Sequence, residues 1–305
     1  MFIIVKKFIL QNIIITGTGL TASHLIEKFK SSYNIIVFTT TKSKIKNQTD
    51  ISYYYWEPKY KVIPKLDYKK IDVIINTSGY TINCRWTKKN RKRIISSRVL
   101  SSKILNNLCI EHKIKHFINF SAIGYYEGND AGIKNENSVR GSDFLSKVCQ
   151  SLEEETHKNN NNFTIFRLPI VFAKNSEIWK KFNKISKYNF FLIPVKNKYR
   201  VSWVHLEDVV GAVDFSIKNN LYGIYNLCSN NSYTWEKCYK RFCLIKNKKL
   251  YKIYIPWGFL FLILGSRARI FRDIQNVSNN RIINLKFKFK YVSLLKCFKS
   301  LNEKI

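Results

Sequence analysis

Acidic residues are scarce in this chain of 305 residues: 20 Asp and Glu stand against 53 Lys and Arg, a formal charge of +33. An excess of that size suits phosphate backbones. The lysines, however, are spread along the whole chain among Asn and Ile, and no RNA- or DNA-binding motif stands among them. The charge therefore reads as a solvated surface, and no specific nucleic-acid partner is expected. Paired cysteines are lacking too. Cys84, Cys109, Cys149, Cys228, Cys238, Cys243 and Cys297 form no C-x-x-C pair, and their odd number argues against a disulfide framework. Reduced core thiols in a cytoplasmic protein are expected. No His and Cys cluster has metal-ligand spacing, so no metal is expected. A long apolar run is also missing. Ile255–Gly265 (IPWGFLFLILG) is about half of the roughly 20 residues that a membrane span requires, and is expected as a buried or partner-facing helix. The opening MFIIVKKFIL has no small-residue cleavage site, and reads as the lead into a strand rather than as an export signal.

What is present is organised around Asn12–Leu25, NIIITGTGLTASHL. Ile13, Ile14 and Ile15 run into Gly17-Thr18-Gly19-Leu20-Thr21-Ala22, and Ala22, Leu25, Ile26 and Phe29 follow at helical spacing. This is the G-x-G-x-x-A form of the dinucleotide fingerprint: Gly17 for the sharp turn, Gly19 for close approach of a pyrophosphate, Ala22 for tight packing of helix on strand. The free N–H groups and positive end of the helix then suit phosphates. A second strand, Ile35–Thr39, ends in Thr39, Thr40, Thr41 and Lys42, with Lys44 beyond and no carboxylate for a ribose hydroxyl. Hydroxyl and ammonium groups suit a 2′-phosphate, so NADP is expected rather than NAD.

Ile51–Trp56 reads as a third strand, and Asp72–Ile75 as a fourth that runs into Asn76-Thr77-Ser78-Gly79. Such small residues let backbone pass close to a ribose or nicotinamide. A long helix follows, with an expected apolar stripe of Ile95, Val99, Leu105 and Leu108. Arg91, Lys92, Arg93 and Arg98 on that helix are either a solvated face or a reach toward a cofactor phosphate. The fifth strand, His116–Phe120, leads into Ser121-Ala122-Ile123-Gly124-Tyr125-Tyr126, and Thr164–Phe172 reads as a sixth. Strands alternating with helices predict an α/β fold with a doubly wound parallel sheet. Residues 1–172 are expected to form the Rossmann-like domain, with the 200–230 segment returning to it, and 173–305 a smaller C-terminal substrate lobe.

ITGTGL, INTSG, RWT, SSR, SAIGYY, DFLSKVCQSLE, RLPIVF and SWVHLEDVVGAV occur in an order that resembles the atypical extended short-chain dehydrogenase/reductases of the nucleotide-sugar epimerase type, the YfcH-like group. The resemblance runs over nearly the whole chain. It implies an NADP-binding oxidoreductase or epimerase acting on a small polar or nucleotide-sugar-like substrate. Carried over by position, Gly17, Thr18, Gly19 and Leu20 would hold the pyrophosphate, Thr39 and Thr40 the adenosine phosphate, and Thr77 and Ser78 the cofactor-facing loop. Arg93 and Arg98 fall on helix positions similar to cofactor-contacting ones, and Val171 on a backbone position near the nicotinamide. The glycine loop is one residue shorter than the family's, and Thr40 replaces the family's Arg. Typical members of the superfamily also use Ser with a Tyr and Lys in Y-x-x-x-K, where Lys lowers the Tyr pKa and Tyr moves the proton. Here Ser121 and Lys147 match, but Asp143 stands at the Tyr position, leaving Tyr125 or Tyr126 to supply a hydroxyl. The alternative implied by the lost Tyr is a non-catalytic NADP-binding sensor or interaction protein. In Trp203–Asp208 (WVHLED), His205 and Asp208 suggest a dyad at first sight; pinning the C-terminal lobe to the core is the expected role.

Overall fold

The computed structural model describes residues 11–45, 51–128, 132–194, 200–229, 232–268 and 276–303. The expected lead-in strand of residues 1–10 lies outside them. The strands are β1 (Asn12–Thr16), β2 (Asn34–Thr39), β3 (Ile51–Tyr55), β4 (Val73–Asn76), β5 (His116–Ala122), β6 (Phe163–Leu168), β7 (Ile170–Phe172), β8 (Phe190–Pro194), β9 (Trp203–His205), β10 (Gly223–Asn226) and β11 (Tyr251–Ile255). The helices are α1 (Leu20–Phe29), α2 (Lys88–Glu111), α3 (Phe144–His157), α4 (Glu177–Ser186), α5 (Leu206–Lys218), α6 (Trp235–Lys246), α7 (Trp257–Leu264), α8 (Asn280–Asn284) and α9 (Leu294–Asn302).

Seven strands form one parallel sheet in the order β10-β6-β5-β4-β1-β2-β3. Both faces are covered, which is why the strands read as unbroken apolar runs. Ile13 and Ile15 point to one face with Ala22, Leu25 and Phe29 of α1 and Val209 and Val213 of α5. Ile14 points to the other, with Leu105, Leu108 and Cys109 of α2. The three isoleucines are fully buried, each contributing roughly 1.5–3 kcal/mol. Strand order reverses beside β1, which pairs with β2 on one side and β4 on the other. At such a switch point the carboxyl ends of the strands leave a crevice.

Helix α2 departs from the expected stripe. Ile95 and Val99 are only half-buried, whereas Ile94, Ser101, Ser102, Leu105 and Asn106 are buried. Hydroxyls sit inside because the sheet offers them partners. Asn76 Nδ2 donates to Ser101 Oγ (3.3 Å) and Asn119 Oδ1 (3.2 Å), and Asn119 Nδ2 donates to Ser102 Oγ (2.8 Å) and to Thr156 Oγ1 of α3 (2.7 Å). Asn106 Nδ2 donates to Lys158 O (2.9 Å). A satisfied buried network of this kind fixes register more sharply than apolar contact.

The expected sixth strand is two. Pro169, with no N–H to give a ladder, ends β6, and β7 leaves the large sheet to pair with β9. A second core then gathers Phe172, Trp179 and Phe182 of α4, Phe191 of β8, Trp235 and Phe242 of α6, and Leu294 and Phe298 of α9. The chain beyond residue 173 does not stay in this lobe. Strand β10 extends the large sheet beside β6, and Ile282, Phe287 and Phe289 pack in the core under α1 and α5.

The WVHLED segment joins the two cores. His205 Nδ1 accepts from Glu207 N–H (3.1 Å), and its ring stacks on Tyr291 with centroids 3.8 Å apart. The buried Asp208 carboxylate accepts the backbone N–H groups of Lys290 (2.6 Å) and Tyr291 (3.1 Å). No dyad forms. Of the two roles expected for α7, the buried one does not hold, since only Leu260 is buried and Phe259, Phe261, Leu262 and Ile263 are exposed. A helix apolar on all sides can turn only one of them to the protein. No helix among the described residues is long and apolar enough to cross a membrane.

Candidate active site

Gly17, at φ +90°, turns the chain out of β1, and a Cβ there would lie 3.0 Å from Thr77 Oγ1. Left-handed backbone and close approach together require glycine. Gly19 caps α1 without a side-chain hydrogen bond, the first turn holds no acidic residue, and a Cβ at Gly19 would meet nothing within 4 Å. The first amides of α1 thus face open space with the helix dipole unopposed, an arrangement that takes an anion.

That space belongs to a bent groove with two arms that share Thr77, Ser78 and Gly79. The rim is held by hydrogen bonds at the ends of β1 and β4. Thr77 Oγ1 donates to Thr16 O (2.6 Å), Ser78 Oγ donates to Thr16 Oγ1 (2.8 Å), and Thr16 Oγ1 donates to Asn76 Oδ1 (2.8 Å). The hydroxyls of Thr77 and Ser78 therefore serve the protein, and the loop offers backbone to a ligand.

The first arm, about 650 Å³, is lined by Gly17, Thr18, Gly19, Thr39, Thr40 and Arg93 together with Glu57 and Lys59. Thr39 is buried and its Oγ1 accepts from Thr41 N–H (3.1 Å), whereas Thr40 is exposed. Lys44 Nζ donates to Thr18 O (3.2 Å) and Thr18 Oγ1 (3.1 Å), bringing an ammonium to the glycine loop. Lys42 does not join it; its Nζ lies 5.2 Å from the Tyr55 ring centroid. Glu57 was not anticipated. It stands after β3 rather than at the end of β2, where a ribose carboxylate is expected, and its Oε1 accepts from Lys59 N–H (3.4 Å). Leu20 packs against the core and is absent from the wall, which takes Thr21 from the same turn into the second arm.

The second arm, about 500 Å³, is mostly apolar, with Phe120, Leu145, Val148, Leu168 and Val171 in its wall. Its polar groups are few. Arg98 donates to Tyr80 O (2.8 Å) and Ile94 O (3.3 Å) and has no carboxylate partner among the described residues; burial lowers its pKa. Gly79 makes this possible, since a Cβ there would lie 3.0 Å from Arg98 Cζ. Ser121, at the end of β5, is 9% exposed, and its Oγ has no hydrogen-bond partner of normal geometry among the described residues. Beside it is Cys149 of α3, whose pKa is pushed up to about 11, by burial foremost and by Glu153, against the favouring influence of the Ser121 hydroxyl and Ala122 backbone on its thiolate.

Two assigned catalytic residues are not in this wall. Lys147 is exposed, because α3 begins at Phe144 and turns Leu145, Val148, Cys149 and Leu152 to the cavity. Asp143, at the Tyr position, lines the cavity but is the N-cap of α3, its Oδ1 accepting from Ser146 N–H (2.8 Å). The Y-x-x-x-K spacing therefore does not bring its second member to the site. Tyr125 is likewise absent from the wall; the Arg167 Cζ sits 3.6 Å from its ring centroid. Tyr126 lines the cavity instead. Its hydroxyl donates to Asn226 Oδ1 (2.6 Å) and accepts from Arg167 (2.8 Å), and burial pushes its pKa up to about 12. Arg167 and Glu153 form a buried two-point ion pair behind this wall (2.9 and 2.7 Å), which no spacing rule along the chain marks.

A doubly wound sheet with a glycine turn and a two-armed crevice at its switch point defines a dinucleotide-binding protein. The profile of the NAD dependent epimerase/dehydratase family matches residues 13–228, and the chain belongs to that family. A nicotinamide dinucleotide is thus its cofactor class, and the unopposed amides of α1 with the open space at Gly19 fit such a group's pyrophosphate. The chain is 28% identical over 308 residues to an epimerase family protein of Staphylococcus haemolyticus, covering 95% of this chain and 98% of that protein. The human epimerase family protein SDR39U1, solved with NADPH, superposes with a TM-score of 0.85 at 16% identity over 97% of this chain and all (100%) of that one. UDP-N-acetylglucosamine 4-epimerase from Bacillus cereus does so with a TM-score of 0.76 at 14% identity, covering 96% and 98%.

Proposed function

We propose that this protein is an NADP-dependent oxidoreductase or epimerase of the extended short-chain type, acting on a small polar or nucleotide-sugar-like substrate. The observation that carries the reading is the continuity of the two arms across Thr77–Gly79, at the N-terminus of α1 where Gly19 gives no side-chain cap. The α1 amides and Gly19 would hold the pyrophosphate. Thr39, Thr40, Lys44 and Arg93 would receive the adenosine side and its 2′-phosphate. Val171 and Ser121 would flank the nicotinamide, whose C4 exchanges a hydride with substrate when the cofactor is bound. The apolar wall keeps water from the reacting carbon. Arg98, a half-buried cation with no acidic partner among the described residues, suits an anionic group on the substrate or the phosphate nearest to it.

Calorimetric titration with NADPH and NADH tests the reading. NADPH is expected to bind at least about tenfold more tightly, or about 1.4 kcal/mol; equal or reversed affinities would remove the Thr39, Thr40 and Lys44 assignment. The second reading, a non-catalytic NADP-binding protein, is favoured by one observation, the solvent position of Lys147. Under it, NADPH binds and is not oxidised by any member of a carbonyl and nucleotide-sugar panel.

A further inference from the structure

The wall of the second arm holds a thiol that the reading above leaves without a task. Cys149 is 6% exposed, yet it reaches the cavity surface beside Ser121 Oγ, a hydroxyl more than nine-tenths buried and without a partner of normal geometry among the described residues. A buried hydroxyl left so is costly unless something fills the place. The other assigned groups that could move a proton here are engaged elsewhere or turned away. Tyr126 is bound by Asn226 and Arg167, Tyr125 stacks on Arg167, Asp143 caps α3, and Lys147 points to solvent.

We propose that Ser121 and Cys149 form the proton relay of this site, with Ser121 Oγ holding the reacting oxygen and the Cys149 thiol supplying the proton. The proposal rests on the dinucleotide reading. In the reductive direction, a substrate carbonyl carbon accepts a hydride, with its two electrons, from a reduced nicotinamide dinucleotide, and the C=O π pair moves to oxygen. That oxygen takes the Ser121 hydroxyl proton as Ser121 takes the proton of Cys149. The products are alcohol, oxidised cofactor and a Cys149 thiolate, which regains a proton from water. Among the described residues, Arg98 of α2 acts on the sulfur to favour the thiolate and Glu153 of α3 to oppose it. The neutral thiol is therefore the resting form. A cationic oxidised nicotinamide in the arm would tip it toward thiolate, as a relay that returns a proton in the reverse direction requires.

The test is calorimetry of NADP+ and NADPH binding to the full chain at pH 9 in buffers of different ionisation enthalpy. NADP+ binding is expected to release close to one proton and NADPH binding close to none. Cys149→Ser should bind NADP+ within about twofold of the parent without releasing the proton, while Cys228→Ser, a buried thiol outside the cavity, should release it as before. In parallel, Cys149→Ala and Ser121→Ala are expected to slow turnover of any substrate from a carbonyl panel by about 100-fold or more with NADPH affinity unchanged. Failure of NADP+ to bind at all overturns the dinucleotide reading. Binding with no release, or release unchanged in Cys149→Ser, overturns the relay alone.

Discussion

The two arms of the groove share a rim and differ in almost everything else. The first is the less apolar and carries the cations, with Lys44 placed on Thr18 and Arg93 over the Tyr80 ring (5.7 Å), beside the Glu57 carboxylate. The second is mostly apolar, and its polar groups include the half-buried Arg98 guanidinium, the Cys149 thiol, the engaged Tyr126 and Asp143, and the Ser121 hydroxyl, which has no partner of normal geometry among the described residues. Phosphate recognition needs donors at the surface, where charge stays hydrated until the ligand arrives. Chemistry at a carbonyl needs the reverse, a few polar groups in a place that water leaves. Arg93 and Arg98 lie less than two helical turns apart on α2 and fall on opposite sides of that divide.

The largest effect is expected where the arms meet the glycine loop. Gly19→Val should remove dinucleotide binding, because the space open at its Cβ is the one a pyrophosphate would fill. Circular dichroism should remain that of the parent; retained binding would make the loop a plain turn. Next comes the wall of the second arm. Glu153→Ala leaves Arg167 charged and buried, and should cost about 3–5 kcal/mol in urea unfolding. A loss below about 1 kcal/mol would mean that the pair is not desolvated.

Two buried histidines set the acid limit. His116 Nε2 contacts Thr164 Oγ1 (2.7 Å), Thr164 donates to Leu221 O, and burial lowers the pKa of both His116 and His205 from 6.5 to about 4. Between those values the unfolded chain binds more protons than the folded one. Stability therefore rises with pH across the window and is lost as pH falls through it, by up to roughly 3 kcal/mol per histidine. Urea midpoints at pH 7 and pH 4.5 for the parent and His116→Gln measure the share of His116; an equal fall in both would assign it none.

Smaller effects separate the arms. Lys44→Ala should weaken NADPH by roughly 1 kcal/mol and leave NADH unchanged, since only the former carries the extra phosphate. Lys147→Ala should change neither cofactor affinity nor stability by more than about 0.5 kcal/mol, as expected for an exposed side chain away from the groove. A larger loss of affinity would return Lys147 to the ribose.

The sequence by itself determined the sheet and the glycine turn at the head of the first arm. Alternation of β-branched runs with amphipathic helices, the G-x-G-x-x-A turn and the hydroxyl-rich end of β2 are local, and local geometry follows from residues next to one another. What only the tertiary structure decided depends on which face an element turns. Cys149 was legible as a core thiol and Lys147 as a helix lysine two residues before it. The start of α3 at Phe144, capped by Asp143, put the first in the cavity and the second in solvent. Ser101, Ser102 and Asn106 broke the expected apolar stripe because Asn76, Asn119 and Lys158, distant in sequence, offered them hydrogen bonds. Arg167 and Glu153 found each other across β6 and α3 for the same reason. Burial of polar groups is stable only where partners converge in space, and convergence is a property of the fold rather than of spacing along the chain.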